Sequence, residues 1–312
     1  MKTYTDLAEV PQPFGPSAVT IGKFDGVHAG HRAVISELVD VSRARGLTSV
    51  VITFDRHPLA QLDPSARPDA LVSNEQKLLL LEQTGVDVAL FVKFDQALAS
   101  MSPRQFVSQV LHDVCNTKVV MVGSDFRFGA RGEGTIDTLR TLGTEFGFDV
   151  DLIAEVKPDE SRKVSSTWIR ELLAGGDVER AGELLGRAPS VRGMVVHGAA
   201  RGRELGFPTA NLSPESEGLI PADGVYAGWL TDGDQRYPAA ISVGSNPTFE
   251  GVPPKQVEAY VLDREIDLYD HVVDVSFVSR IRGQVRYTGI DPLIAQISAD
   301  VDAVRALLHD GA

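Results

Sequence analysis

The sequence predicts two domains of different class: an open parallel β-sheet covered by helices on both faces, then a small antiparallel β-barrel with a C-terminal helix. Three observations support this. The chain has 312 residues, enough for two domains of roughly 150 residues each. Strand-like and helix-like segments alternate in its first part. After Arg187 the strands become short, and glycine and proline become frequent.

Five apolar strand segments alternate with helices before residue 187. The first, Ser17–Ile21, leads through a glycine-rich turn into a helix whose apolar stripe includes Ile35 and Leu38. Ser102 as N-cap and Pro103 in the first turn predict the start of another helix. Strands that are apolar throughout are typical of a parallel sheet buried on both faces. The predicted strands are 17–21, 49–54, 86–94, 118–122 and 149–156, and the predicted helices are 31–45, 74–84, 103–114, 135–146, 166–174 and 178–185.

The second part predicts a small antiparallel barrel. Its strand segments follow one another without intervening helices, as in closed all-β folds. One amphipathic helix, 292–308, comes last and is expected to pack on the barrel. We place the domain boundary so that residues 1–186 form the first domain and 187–312 the second. The predicted barrel strands are 191–197, 224–230, 236–243, 256–263 and 271–281.

Composition and charge exclude several classes of protein. Hydrophobic residues make up 43% and charged residues 23%, which is typical of a globular chain and excludes a disordered, collagen-like or coiled-coil one. The formal net charge is -13, so we expect neither a nucleic-acid nor a membrane partner. Cys115 is the only cysteine, which excludes an intrachain disulfide. Without an apolar run of membrane length or a signal peptide, the protein is expected to be cytoplasmic. Self-association stays open.

The first chemical motif is the turn between the first strand and the first helix. His28 and His31 lie three residues apart, so both rings can face one spot at the helix start. Gly22, Gly26 and Gly30 let the backbone approach a ligand closely, and the helix N-terminus favours a phosphate. Two imidazoles there can stabilise charge on an α-phosphate during displacement. The alternative is that both histidines only cap or pack the helix.

Further candidate residues follow later strands of the predicted sheet, on the rim where ligands bind. Asp55 and His57 end the second strand, and the segment from Asp125 to Phe128 follows the fourth. Phe126 and Phe128 could equally be core residues. A hydroxyl cluster precedes the helix at 166–174, where Ser166, Thr167 and Arg170 could hold a phosphate or could simply form a helix cap with a solvated arginine.

The second chemical motif lies in the barrel. Thr209 and Asn211 alternate along an extended segment, so their side chains point the same way. A hydroxyl and an amide oxygen are hard ligands that suit Mg²⁺, although a turn-stabilising hydrogen bond is the alternative. Glu258 lies in a strand among apolar neighbours, where a carboxylate is costly unless it has a partner or a role. The other interpretation is an edge-strand glutamate that faces water.

These segments together resemble one family. GKFDGVHAGH is similar to the signature of the HxGH nucleotidyltransferases, in the form found in bacterial bifunctional riboflavin kinase/FAD synthetases. The TFDRHP, GSDFRFG, VSSTWIR and LLGRA segments resemble further family motifs in the same order, as do GRELGFPTAN, SVGSNPTF, VEAYVLD and DLYD in the second part. The chain departs from the pattern at Arg56 and Ala188, where the family has proline, at Asp270, where it has glycine, and at Gln284, where it often has glutamate.

The resemblance implies a Rossmann-like parallel-sheet HxGH nucleotidyltransferase domain followed by a small antiparallel β-barrel riboflavin kinase domain with a C-terminal helix. It implies that the second domain phosphorylates riboflavin to FMN with ATP and Mg²⁺, and that the first transfers AMP from ATP to FMN, which gives FAD and pyrophosphate. The implied catalytic residues are Glu258, His28 and His31. The implied nucleotide-binding residues are Gly22, Phe24, Asp25, Gly30, Ser166, Thr167, Arg170, Gly206, Thr209 and Asn211. Metal binding is expected at Thr209 and Asn211, and flavin binding at Asp125, Phe126, Phe128 and His57.

Two other functions are open at this point. The chain could be a nucleotidyltransferase of another phosphorylated small molecule with an inactive barrel, but the intact PTAN and VEAYVL segments count against that. It could instead be a non-catalytic flavin-binding regulator. Binding alone does not require His28, His31 and Glu258, so their presence argues against a regulator.

Overall fold

A computed structural model of the chain describes residues 1–55, 68–154, 162–198, 202, 205–245 and 255–309. The chain divides into two compact units. The first comprises Met1–Ala70 and Asn74–Ser165, and the second comprises Leu71–Ser73 and Ser166–Ala312. The domain boundary at residue 186 stays a prediction, and the two helices before it group with the second unit.

The first unit contains a six-stranded sheet in the order β1-β4-β3-β2-β5-β6, and all its strand pairs are parallel. The five predicted strands are present, and a short first strand joins the edge beside β4. That strand has only three residues and no apolar run, so its sequence gave no strand signal. The strands are β1 Lys2–Tyr4, β2 Ser17–Ile21, β3 Thr48–Phe54, β4 Val88–Val92, β5 Thr117–Gly123 and β6 Asp149–Ile153.

Among the described residues, four longer helices and a short one at Gln96–Ala99 lie between the strands of this sheet. The third of the longer helices begins as predicted, with Ser102 as N-cap in a capping box with Gln105 and Pro103 in the first turn, and it continues as a π-helix over Phe106–Val114. Apart from the partly buried Phe54, the apolar residues of β2, β3, β4 and β5 are buried, as the continuous apolar pattern predicted. The helices are α1 Ala29–Arg45, α2 Asn74–Glu82, α3 Pro103–Gln105 with its continuation, and α4 Ile136–Phe146.

The second unit begins with two helices, α5 Ser166–Gly175 and α6 Val178–Leu185, followed by a closed barrel in the order β10-β11-β8-β7-β12-β9. Neighbouring strands pair antiparallel. The extended segment with Thr209 and Asn211 forms β8, a strand in addition to the five predicted ones, which closes the barrel between β7 and β11. The barrel strands are β7 Ser190–Val196, β8 Thr209–Leu212, β9 Gly224–Asp232, β10 Gln235–Ser245, β11 Lys255–Val261 and β12 Val272–Arg282.

The C-terminal helix α7, Ile290–His309, packs on the outside of the barrel. A bidentate ion pair from Arg282 at the end of β12 to the buried Asp300 fixes the helix there, with Nη2–Oδ2 at 2.6 Å. Its apolar contacts are Val301, Val304 and Leu308 with Leu262 and Ala227, flanked by the partly buried Phe207 and Tyr260. Within the described part of the chain, no helix combines the length and the apolar character needed to span a membrane.

Candidate active sites

The turn between β2 and α1 is backbone-strained and buried. Phe24 and Val27 adopt positive φ values of 46° and 39°, and Gly26 between them has φ 80°. Residues other than glycine rarely adopt positive φ values, and such backbone strain concentrates at functional sites. Phe24, Val27, Asp25 and His28 are all buried despite lying in a loop. The fold therefore holds this turn in one defined conformation at the carboxyl end of β2.

The two predicted histidines come together at the start of α1. His28 is the N-cap, and its Nδ1 accepts a hydrogen bond from the main-chain N–H of His31 at 3.3 Å. Their rings stack with centroids 3.6 Å apart, and Phe24 packs edge-on against His31 at 5.1 Å. A Cβ at Gly30 would lie 3.2 Å from the His28 ring, so this position suits glycine. His28 therefore caps helix α1, and its ring also stacks on the ring of His31.

The environment of His31 favours its neutral form. Burial, the neighbouring His28 and the positive charge of Lys77 hold the pKa of His31 well below its usual value, in that order of importance. Its Nδ1 is buried without a hydrogen-bond partner among the described residues. A buried polar atom of this kind favours a ligand that supplies the missing hydrogen bond.

The rim of the sheet carries further predicted residues. Asp55 follows β3 and accepts a hydrogen bond from the Phe94 main chain at 2.9 Å. Asp125 follows β5, and Lys163 donates to its carboxylate at 2.7 Å, which lowers the pKa of Asp125. Asp25, Asp55 and Asp125 thus follow three adjacent parallel strands at the same edge. Arg56 and His57 lie outside the described residues.

The two predicted flavin-binding phenylalanines differ in exposure. Phe128 is buried in the hydrophobic core of the first unit, where it packs near Phe106. Phe126 is only partly buried and stacks on Phe128 with ring centroids 5.6 Å apart. Of the predicted flavin-binding residues in this segment, Phe126 and the exposed Asp125 therefore have surface to offer a ligand, whereas Phe128 does not.

The predicted phosphate-binding segment forms the first turn of α5 in the second unit. Ser166 is the first residue of the helix, and Ile169 and Leu173 bury its apolar face. Ser166 and Arg170 are partly buried, and Thr167 is exposed. The role of Ser166, Thr167 and Arg170 stays a prediction.

The barrel brings its three predicted residues together. Glu258 on β11 is the direct cross-strand partner of Asn211 on β8, and Thr209 is opposite Tyr260. Directly opposed side chains in antiparallel strands lie on the same face, about 5 Å apart at Cβ. The alternating residues of β11 are buried in the barrel, so this face is the outer one. Asn211 Nδ2 donates to the Thr209 hydroxyl at 3.2 Å and to its main-chain oxygen at 3.1 Å.

Gly198 is a residue of this site that sequence reasoning missed. It follows β7, and a Cβ there would lie 2.5 Å from both Cγ and Oδ1 of Asn211. Only a glycine therefore leaves room for the Asn211 side chain in its observed position. The signal in the sequence was weak, because one glycine before the motif has many possible explanations.

A cleft of about 590 Å³ opens beside Thr209. Its wall includes the predicted nucleotide-binding Gly206, together with the segment that carries Leu268 and Tyr269. The volume is within the range of small-molecule sites. The cleft therefore offers space for a ligand next to Thr209, whereas Asn211 and Glu258 are not among the residues that line it. Its other lining residues are Val195, Pro208, Ala210, Ala259, Val261, Arg264, Glu265, Ile266 and Asp267.

The structure explains two departures from the family pattern. Asp270 adopts φ 63°, a conformation that glycine adopts freely and that Asp tolerates better than most residues. Gln284 donates from Nε2 to the Ser242 hydroxyl at 3.2 Å and to the Val243 carbonyl at 2.9 Å. An ionised glutamate could not donate these bonds. Since Ser242 is the cross-strand partner of Glu258 on β10, Gln284 supports the strand beside the candidate site.

Two protein-family models match the chain, FAD synthetase over residues 11–168 and riboflavin kinase over 185–308. A bifunctional riboflavin kinase/FMN adenylyltransferase of Escherichia coli (strain K12) is 36% identical over 296 residues, which cover 95% of this chain and 93% of the relative. The chain belongs to the family of bifunctional riboflavin kinase/FMN adenylyltransferases. Another relative, from Bacillus subtilis (strain 168), is 35% identical over 288 residues, covering 91% and 90%.

A solved structure is similar to this family member over nearly its whole length. It is a crystal structure described as a macrolide-efflux protein from Streptococcus pneumoniae, with a TM-score of 0.88 and 32% sequence identity. The match covers 97% of this chain and 98% of that one. The match therefore includes residues of both the parallel-sheet unit and the barrel unit.

Proposed function

We propose that this chain converts riboflavin to FMN in its barrel unit and FMN to FAD in its parallel-sheet unit, with ATP as co-substrate of both steps. The observation that carries the proposal is the pairing of Glu258 with Asn211, which bonds to Thr209, on one outer face of the barrel. The stacked His28 and His31 in a strained turn supply the second site. Both steps are displacements at phosphorus, where positioning and charge stabilisation do most of the catalysis.

In the kinase step, Glu258 accepts the proton of the ribityl 5′-hydroxyl while the hydroxyl oxygen bonds to the γ-phosphorus of ATP. The bond to the bridging oxygen breaks, and ADP leaves. Glu258 reaches this role from a strand whose inward residues fix its direction. Gly206 and Thr209 line the cleft that would take the nucleotide.

Thr209 and Asn211 carry a hydroxyl and an amide oxygen, the kinds of ligand that suit a magnesium ion. In the structure the Asn211 amide nitrogen, not its oxygen, faces the Thr209 hydroxyl, so binding of one ion by both oxygens requires the amide group to turn over. No group of three His, Cys, Asp or Glu side chains suited to a metal occurs in the described part of the chain. A bound Mg²⁺ would therefore rely on hydroxyl and amide oxygens, with water and phosphate completing its shell, and would neutralise phosphate charge.

In the adenylyl step, a phosphate oxygen of FMN bonds to the α-phosphorus of ATP and pyrophosphate leaves. His28 and His31 stabilise the charge that builds on the α-phosphate oxygens. Gly22, Phe24, Asp25 and Gly30 shape the turn that would take the nucleotide. Ser166, Thr167 and Arg170 are proposed, from the family motif alone, to bind phosphate. Asp125, Phe126, Phe128 and His57 are the proposed flavin-binding residues, of which Phe126 has the accessible ring.

We also propose a cytoplasmic enzyme whose partners are small molecules, without a nucleic-acid or membrane partner. The net charge of -13 disfavours polyanionic partners.

One incubation tests the proposed function. The protein is mixed with riboflavin, ATP and Mg²⁺, and the flavins are separated by chromatography. We expect FMN first and FAD later. No FMN would overturn the kinase assignment, and FMN without FAD would overturn the adenylyl assignment.

Removing magnesium should stop the kinase step. With excess EDTA we expect no FMN from riboflavin, and full activity should return when Mg²⁺ is added back. Asn211→Ala should raise the Mg²⁺ concentration for half-maximal FMN formation, because one oxygen ligand is lost. An unchanged Mg²⁺ dependence in this variant would exclude Asn211 as a ligand.

Gly198→Ala should impair the kinase step selectively. The new Cβ would displace Asn211, and a misplacement of about 1 Å at such a site costs roughly 100-fold in rate. We expect that loss in FMN formation and an unchanged conversion of added FMN to FAD. Gly175→Ala is the matched control, since a Cβ there meets nothing within 4 Å. Equal FMN rates in the two variants would contradict the steric argument.

A further inference from the structure

A row of polar side chains crosses three neighbouring strands on the outer face of the barrel. Strand β11 lies between β10 and β8, and Glu258 on β11 is the direct cross-strand partner of both Ser242 on β10 and Asn211 on β8. Directly opposed side chains share one face of the sheet, about 5 Å apart at Cβ. Ile241 and Val243 on either side of Ser242 are buried, so Ser242 takes the outer face as Glu258 does. The Ser242 hydroxyl therefore lies beside the proposed general base.

Gln284 fixes the hydrogen-bonding role of this hydroxyl. The Nε2 atom of Gln284 lies 2.9 Å from the main-chain oxygen of Val243 and 3.2 Å from Oγ of Ser242. A carbonyl oxygen can only accept, so the contact with Val243 directs the amide nitrogen of Gln284 towards β10. That nitrogen can only donate, so Oγ of Ser242 is the acceptor of its bond. The proton of the Ser242 hydroxyl is not used in this bond and is available to a group on the outer face.

The strand order gives the two flanks of Glu258 different partners. On one flank, β8 carries Thr209, which lines the cleft, and Asn211, a proposed magnesium ligand. On the other flank, β10 carries Ser242. In phosphoryl transfer the attacking and leaving oxygens lie roughly in line on opposite sides of the phosphorus. A nucleotide held on the β8 flank therefore presents its γ-phosphate towards Glu258, and the ribityl chain approaches from the β10 flank.

We propose that Ser242 binds the ribityl 4′-hydroxyl of riboflavin and that Gln284 is the positioning residue that fixes the Ser242 hydroxyl as a donor. Ser242 donates to the 4′-oxygen while Glu258 takes the proton of the 5′-hydroxyl. This inference rests on the proposed kinase function of the barrel. The two hydroxyls are on neighbouring carbons, so two side chains directly opposed on adjacent strands can each take one of them. Ser242 thereby selects a flavin that carries a hydroxyl next to the reacting one.

The test compares riboflavin with 4′-deoxyriboflavin, which keeps the reacting hydroxyl and lacks its neighbour. The measured quantity is the ratio of kcat/KM for the two flavins in the kinase step. Loss of one hydrogen bond changes such a ratio about 5-fold, so the ratio should be smaller by that factor in Ser242→Ala than in the wild type. Gln284→Met should lower the ratio as well, because the hydroxyl can then turn away. Ser276→Ala, at another partly buried serine of the barrel, is the matched control and should keep the wild-type ratio.

A binding measurement keeps the inference separate from the proposed function. Titrations followed by flavin fluorescence give Kd for both flavins on the full chain without turnover. We expect the wild type to bind riboflavin more tightly than 4′-deoxyriboflavin, and Ser242→Ala to bind the two more equally. Since these two proteins differ only in the barrel, the change in the Kd ratio reports on the barrel even when the first unit also binds flavin. The same Kd ratio in Ser242→Ala and in the wild type would overturn the inference, whether or not the protein makes FMN.

Discussion

Replacing Glu258 by glutamine should abolish FMN formation and leave FAD formation from added FMN intact. The amide has nearly the shape of the carboxylate and keeps a hydrogen-bonding oxygen, but it cannot accept the ribityl proton. The loss of a general base costs about 100- to 10,000-fold in rate. Chromatography of the flavins formed from riboflavin, and separately from supplied FMN, measures the two steps in one protein.

Glu215→Gln is the matched control for this experiment. It makes the same chemical change at an exposed glutamate of the same unit. Its FMN rate should equal that of the wild type. A Glu258→Gln variant that still forms FMN at the control rate would remove Glu258 from the proposed mechanism. Loss of activity on supplied FMN as well would show that the two sites depend on each other.

His28→Asn should let FMN accumulate without FAD. Asparagine is a good N-cap, so helix α1 still has a side chain that accepts from the His31 N–H. The imidazole beside the α-phosphate is lost, and removal of one such charge-stabilising group costs about 100- to 1,000-fold in rate. The measurement is the ratio of FAD to FMN after incubation with riboflavin, ATP and Mg²⁺.

The control variant is His112→Asn, which changes an exposed histidine in the same unit. Its FAD yield should match that of the wild type. Because His28→Asn preserves the cap, a drop in FAD reports on the ring itself rather than on the start of the helix. Undiminished FAD from His28→Asn would mean that His28 only caps α1.

Most of the architecture could be predicted because the apolar patterns are local. The buried strands β2 to β5 and helices such as α6 coincide closely with the segments expected from periodicity. The short β1 escaped notice because its three residues have no apolar run, and pairing with β4 alone defines it. The segment of Thr209 and Asn211 was expected to be extended, but barrel closure is a long-range property that the local pattern does not contain.

Some residues of the candidate sites could likewise be predicted from the sequence, and others could not. His28, His31, Thr209, Asn211 and Glu258 could be found because motif and chemistry coincide at each. Gly198 could not, since a single glycine before the motif has many possible explanations, and only its packing against Asn211 shows that the position requires glycine. Phe128 shows the opposite problem, because a core phenylalanine and a ligand-binding one have the same sequence signal.

The hydrogen bond that begins helix α1 restricts which ring nitrogen of His28 can carry a proton. Because His28 accepts the His31 N–H through Nδ1, that nitrogen must be unprotonated while the cap exists. A neutral His28 is then fixed as the tautomer that carries its single proton on Nε2. The helix cap thus makes Nε2 of His28 the hydrogen-bond donor of the neutral ring. Protonation of Nδ1 would break the cap and would remove this preference for Nε2.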